Sequence, residues 1–178
     1  MTVRADHILI ERNKIQERVK DLAKMIIDTY GDDLPLLLAV LTGSFVFAAD
    51  LIRLLPPTVK ICFIKACSYG SGSVSSGDIK ITGLEDVNIA GKNVLIIEDI
   101  IDTGLTLERL ILELKQKKPK DVKVCVLLDK PSRRKTQVKP DFVGFEVPNV
   151  FIVGYGLDFA EHYRGSPDIY EVSENNEK

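Results

Sequence analysis

Three carboxylates fall within five positions, at Glu98, Asp99 and Asp102. The apolar run Val94-Leu95-Ile96-Ile97 precedes them, and Thr103-Gly104-Leu105-Thr106 follows at once. Crowded carboxylates repel one another and lose hydration. A fold keeps them where a cation or a polyhydroxylated ligand answers them. The residues that follow offer such a ligand a second handle. At the start of a helix, Thr103 to Thr106 present free N–H groups, two hydroxyls and a glycine that permits close approach. That is an anion site suited to a phosphate monoester. Carboxylates for sugar hydroxyls or Mg²⁺, set beside a phosphate cradle, match a phosphorylated ribose. A plainer reading makes Asp102 or Thr103 the N-cap of the helix. It accounts for one carboxylate and leaves two at the end of a buried strand.

The elements that must position these groups alternate along the chain. Helical spacing runs from Asn13 to Tyr30 through Ile15, Val19, Leu22 and Ile26, with Gly31 as the stop. A strand-length apolar run covers Leu36 to Leu41. Helical spacing resumes from Phe45 to Leu55 and ends at Pro56-Pro57. Strands are expected over Val59 to Cys67, Asn93 to Ile97, Val122 to Leu128 and Val150 to Tyr155, the last clear one. Leu107, Leu110, Ile111 and Leu114 form one side of an amphipathic helix over Leu105 to Lys117. Apolar strands alternating with helices predict an α/β fold with a mostly parallel central sheet covered on both faces. Such sheets bind ligands outside the carboxyl ends of their strands, which points to the loops after Leu41, Cys67, Ile97, Leu128 and Tyr155.

Bulk properties narrow the class. At 178 residues the chain reads as a single domain over 1–178 with room for a sizeable core. A net charge of -2 favours neither nucleic acid nor an anionic membrane as a partner. No apolar run approaches the roughly 18 residues of a membrane span, and the start of the chain has no signal-peptide pattern. Cys62, Cys67 and Cys125 sit in apolar segments without a CxxC pair and read as reduced core thiols, which predicts a cytoplasmic protein. There is no GxxxxGK[ST] and no GxGxxG. The stretch Ser68-Tyr69-Gly70-Ser71-Gly72-Ser73-Val74-Ser75-Ser76-Gly77 is long and loosely specified, and predicts a mobile loop over about 68–80.

The run of an apolar strand, Glu98-Asp99, two apolar residues, then Asp102-Thr103-Gly104 and Thr106 resembles the phosphoribosyl-diphosphate signature of type I phosphoribosyltransferases. Three further segments fit the same family. LTGSFVFAADL is similar to its diphosphate-binding loop, SYGSGSVSSGDIKI to its mobile catalytic loop, and LLDKPSRR with KPDFVGFEVPNVFIVGYGLDFAEHYRGSPDIY to its purine-recognition region. The resemblance spans roughly Ile8 to Val172 and leans to the hypoxanthine and guanine branch of compact bacterial form. It implies the type I phosphoribosyltransferase fold, with a small hood built from about residue 130 onward together with the N-terminal segment. It also implies purine salvage: transfer of a 5-phosphoribosyl group from phosphoribosyl diphosphate to a 6-oxopurine, giving a nucleoside monophosphate and diphosphate, in a homodimer or homotetramer.

The resemblance assigns roles residue by residue. Glu98 and Asp99 hold the ribose hydroxyls, directly or through Mg²⁺. Asp102, Thr103, Gly104, Leu105, Thr106 and Leu107 take the 5'-phosphate, and Asp102 is also the proton acceptor or an electrostatic support. Asp158 is a further Mg²⁺ ligand at the purine side. Thr42 and Gly43 bind diphosphate through their backbone, with a cis peptide implied at Leu41–Thr42. Arg134 and Arg164 reach the same diphosphate, although Arg133-Arg134-Lys135 also reads as a solvated basic loop. Lys130 donates to the purine O6 and N7, Phe151 stacks on the base, and the Ile152 backbone meets its far edge. Phe151 and Ile152 read equally as core. Ser68 and Tyr69 open the mobile loop. His7 and His162 read as structural or surface residues. Thr42 stands where many relatives carry lysine, which leaves only the backbone role there, and Leu105 stands where some relatives carry lysine. Two other classes stay open: a nucleotide-sensing, RNA-binding regulator on the same fold, and a Mg²⁺-dependent phosphohydrolase.

Overall fold

The structure, a computed structural model, describes residues 3–68 and 79–174. Six strands form the large sheet in the order β4-β3-β2-β5-β6-β7. They are β2 (Leu36–Leu41), β3 (Ile61–Ser68), β4 (Ile79–Thr82), β5 (Asn93–Ile101), β6 (Asp121–Asp129) and β7 (Phe142–Glu146). Only β4 runs antiparallel, against β3. A second sheet of three strands, ordered β1-β9-β8, joins β1 (Val3–Ile10), β9 (Ile169–Glu174) and β8 (Phe151–Val153). The expected last strand is therefore not the last one. β8 leaves the large sheet for the small one, and β9 closes that sheet against β1. The strand β7 stays on the edge of the large sheet, so the small sheet draws on 3–10 and on residues from 151 onward.

Successive residues of the central strands divide between two apolar layers, as the period of two requires. Leu37, Ala39, Leu95 and Ile97 pack with helices α1 (Arg12–Tyr30) and α2 (Phe45–Ile52). Leu36, Leu38, Val40, Val94 and Ile96 pack with α3 (Leu105–Gln116). In α1 the inward stripe is Ile15, Val19, Leu22, Ala23 and Ile26, and Gly31 ends the helix as expected. Each fully buried Leu, Ile or Phe, such as Leu22, Ile26 and Phe47, contributes about 1.5–3 kcal/mol of burial. Ser44 is the one fully buried polar residue at the start of α2. Its hydroxyl donates to the Val40 carbonyl at 2.6 Å, which satisfies the group and ties the helix to the strand before it.

The topology selects the place for a ligand. From β2 the chain crosses by α2 to β3 on one side, and from β5 by α3 to β6 on the other. The strand order reverses between the neighbours β2 and β5, and the crevice beyond their carboxyl ends is the switch point of the sheet. Thr42 and Gly43 follow one of these strands, and Glu98 and Asp99 lie on the other.

Candidate active site

β5 continues past Ile97, where the sequence predicted its end. Glu98, Ile100 and Ile101 still pair with Val126, Leu128 and Asp129 of β6. The carboxylates thus stand on a rigid ladder rather than in a loop. The strand alternation also separates them. Glu98 continues the α3-facing row of Val94 and Ile96. With Ile101, Asp102, Thr103, Gly104 and Thr106 it lines a cavity of about 110 Å³. Asp99 continues the opposite row and lies against Gly43, where an added Cβ would run into its carboxylate. The pleat sends one acid to each wall of the same crevice.

Neither acid is at ease. The Glu98 Oε2 atom is buried and has no hydrogen-bond partner. Burial first, and then the negative charge of Asp99, push the Glu98 carboxyl well above the usual range. Burial raises Asp99 to about 6, opposed by the amides of Asp99 and Ile100 and by the charge of Arg164, while Asp158 adds repulsion. Two carboxylates at one strand end, one with an orphaned oxygen, fit a cation or hydroxyl donors.

The α3 wall begins at Gly104, which caps the helix in the left-handed region at φ 84. Neither Asp102 nor Thr103 caps it, which leaves the plainer reading of this turn without its cap. The Thr103 hydroxyl makes only a long 3.4 Å contact with the Leu105 N–H. Glycine is required here twice over, because a Cβ would also collide with the side chains of Thr136 and Arg134. The helix N-terminus is thus left to an outside acceptor.

Segment 130–136 holds this turn from behind. The Lys130 N–H donates to the Ile101 carbonyl at 3.0 Å, and the Lys135 N–H to that of Thr103 at 2.9 Å. Arg134 was expected at the diphosphate, but the fold brings it to the back of the turn. Its guanidinium pairs with Asp129 and donates to the Val138 carbonyl at 2.8 Å, while its Nε reaches the Asp102 carbonyl at 3.3 Å. With its donors engaged in this way, Arg134 is a strut of the turn that opens α3.

The opposite wall is assembled from distant segments. The Leu41–Thr42 peptide is cis, as the resemblance implies. Gly43 is confined between Asp99 on one side and Gly156, which abuts its carbonyl, on the other. Arg164 donates to the Gly156 carbonyl at 2.8 Å and pairs with Asp158 at 2.8 Å. Its Nε is buried without a partner. Asp158 also accepts the Glu161 N–H at 2.9 Å. The Tyr155 hydroxyl donates to Asp50 at 2.7 Å, anchoring this loop to α2. Arg164, Asp158 and Asp99 therefore share one electrostatic neighbourhood. Gly156, Ser44 and the Asp50–Tyr155 link were missed by sequence reading. The paired glycines Gly154 and Gly156, both at positive φ, were the available signal.

At the purine end, Lys130 is buried and donates to the Val150 carbonyl at 2.7 Å. Burial pulls its ammonium below the ordinary range, while Asp102 supports the charge and Arg133 opposes it. Phe151 is 52% exposed, which removes the core reading, and its ring meets Phe159 edge-on at 5.6 Å. The Ile152 side chain is core, leaving only its backbone for a ligand. Phe159 was not singled out from the sequence. Ser68 ends β3, paired with Ile79, and Tyr69 lies outside the described residues. His7 and His162 are both exposed. Among the described residues no three acidic, histidine or cysteine side chains converge as a ready-made metal cage, and no helix is long and apolar enough to cross a membrane.

Comparison with known proteins identifies the family and the fold. Residues 9–160 match the family described as phosphoribosyl transferase domain. The hypoxanthine-guanine phosphoribosyltransferase of Bacillus subtilis (strain 168) is 47% identical over 164 residues, covering 92% of this chain and 91% of the relative. Its namesake from Aquifex aeolicus (strain VF5) is 46% identical, with 94% of each chain covered. A crystal structure of a hypoxanthine-guanine phosphoribosyltransferase from Bacillus anthracis superposes with a TM-score of 0.89 at 46% identity, over 97% of this chain and all of that one. With a family match over residues 9–160 and relatives 46–47% identical over more than nine-tenths of the chain, the chain belongs to the phosphoribosyltransferase family.

Proposed function

We propose that the chain is a purine-salvage enzyme that moves the 5-phosphoribosyl group from phosphoribosyl diphosphate to hypoxanthine, guanine or both. The observation that carries the mechanism is the division of Glu98 and Asp99 between the two walls. The bond from the anomeric carbon to diphosphate breaks, a bond to a purine imidazole nitrogen forms, and the carbon between them passes through a cationic state. Glu98, beside the phosphate turn, meets the sugar from one wall. Asp99 meets it from the other, and both stabilise that cation. The Thr103–Leu107 turn takes the 5'-phosphate. Thr42 and Gly43 offer backbone, and Arg164 charge, to the departing diphosphate. Asp102 accepts the purine N–H proton once the new bond has acidified it. Lys130 donates to the O6 and N7 of a 6-oxopurine. Adenine presents an amino group there and leaves the ammonium unanswered. Phe151, set by Phe159, stacks on the base, and the Ile152 backbone meets its edge. Ser68 and Tyr69 open the loop that excludes water.

Mg²⁺ fits this donor set, since it is held by one or two carboxylates together with substrate phosphates. Glu98, with its orphaned oxygen, Asp99 and Asp158 are the residues that would hold it, and it would neutralise charge on the leaving diphosphate. Cytoplasmic location and a homodimer or homotetramer complete the reading. The half-exposed Phe63 of β3 and Phe45 of α2 supply apolar surface to a second copy. The relatives' names speak for the enzyme rather than for the RNA-binding regulator.

A coupled assay tests this with phosphoribosyl diphosphate, Mg²⁺ and each of hypoxanthine, guanine, xanthine and adenine. Turnover is expected with hypoxanthine or guanine, and adenine should be slower by at least about 100-fold. No diphosphate release with any base overturns the proposal. Asp102→Ala should lower kcat by about 100-fold with little change in nucleotide affinity. Equal loss of both makes Asp102 a binding residue only.

A further inference from the structure

Arg133 has no role in the account above, yet its side chain is placed at the reacting centre. It ends the short 3-10 turn Pro131–Arg133, and its N–H donates to the Lys130 carbonyl at 3.0 Å. From there its Nε donates to Asp102 Oδ1 at 2.9 Å, across thirty-one residues of sequence. The contacts that Lys130, Arg134 and Lys135 make with residues 101–103 end on the backbone carbonyls of Ile101, Asp102 and Thr103. They fix where the turn lies. The Arg133 contact instead ends on the carboxylate and fixes how it is rotated. The two side chains are 46% and 40% exposed, so the ion pair does little to hold the fold together. Arg133 and Asp102 also act with opposite sign on the Lys130 ammonium, which puts both beside the purine-reading group.

We propose that Arg133 is a positioning residue for Asp102. By occupying Oδ1 it sets the plane of the carboxylate. The other oxygen, Oδ2, is left for the purine. As the anomeric carbon bonds to the imidazole nitrogen, the N–H proton passes to Oδ2 and the positive charge on the ring is discharged. The proposal rests on the reading of Asp102 as proton acceptor.

The test is a double-mutant cycle in steady-state kinetics with Arg133→Gln, Arg133→Lys, Asp102→Asn and the pair Asp102→Asn/Arg133→Gln. Arg133→Gln should lower kcat about fivefold, with KM for both substrates and Tm essentially unchanged. Arg133→Lys should recover part of the loss. In the Asp102→Asn background, Arg133→Gln should cost nothing more, because the group it serves is gone. A wild-type or raised kcat for Arg133→Gln overturns the proposal, and so does the same fivefold loss in the Asp102→Asn background. Full turnover by Asp102→Asn alone would instead remove the acceptor reading, and the role of Arg133 with it. Failure of the inference and failure of the reading beneath it are therefore told apart by which single variant is silent.

Discussion

The two walls of the β5 crevice are made in different ways. On the α3 side one continuous segment, Glu98 to Leu107, supplies carboxylate, turn and helix N-terminus, and residues 130–136 brace it from behind. On the α2 side, Thr42 and Gly43 come from a segment more than a hundred residues from Gly156, Asp158 and Arg164, and the two segments meet where Gly156 abuts the Gly43 carbonyl beside Asp99. The first wall depends on local backbone geometry. The second depends on fit between loops with little room to spare. A fault in the first should appear as instability or weak phosphate binding, and a fault in the second as lost turnover.

Arg134→Met probes the brace of the first wall and carries the largest expected effect. It strands the buried Asp129 carboxylate without its guanidinium, and chemical denaturation should show a loss of about 3 kcal/mol. Unchanged stability with weakened diphosphate affinity would instead return Arg134 to the role the sequence suggested. Gly43→Ala probes the second wall. The new methyl overlaps the Asp99 carboxylate, so kcat/KM for phosphoribosyl diphosphate should fall about 100-fold while the fold persists. A loss of stability with full activity in the surviving protein would erase the contrast between the walls.

Asp99→Asn separates function from folding within the second wall. The Asp99 carboxyl is raised to about 6 in the fold, so it favours the folded state fully below the unfolded value of about 3.9 and loses that contribution as pH rises through 6. Metal-free Asp99→Asn protein should match the wild type near pH 4 and exceed it by about 1–2 kcal/mol at pH 8, while losing turnover. Equal stability at both pH values would mean that the carboxylate is already satisfied without ligand. The smallest effect belongs to Phe159→Leu. Losing the edge-on contact to Phe151 should raise KM for the purine about threefold, with kcat unchanged.

How much was legible in the sequence follows the same division. The helices, the central strands and the turn that opens α3 were readable because period, glycine placement and clustered carboxylates are local signals. β1, β4, β7 and β9 were not, because short edge or small-sheet strands take their pairing from partners far along the chain. The extension of β5 through Glu98 to Ile101 was hidden because charge ended the apolar run while the ladder to β6 continued. Arg134 was misread because one basic residue in a basic run looks like the next, and only the position of Asp129 distinguishes them.

The order of residue types alone determined an α/β chain with a glycine turn and helix start beside crowded acids, since local spacing sets which groups are adjacent. Tertiary structure decided which way those groups face: Glu98 and Asp99 to opposite walls, Arg134 behind the turn, Arg133 onto Asp102. The physical reason is that direction depends on pleat, register and the packing of distant segments, and no short stretch of sequence contains them.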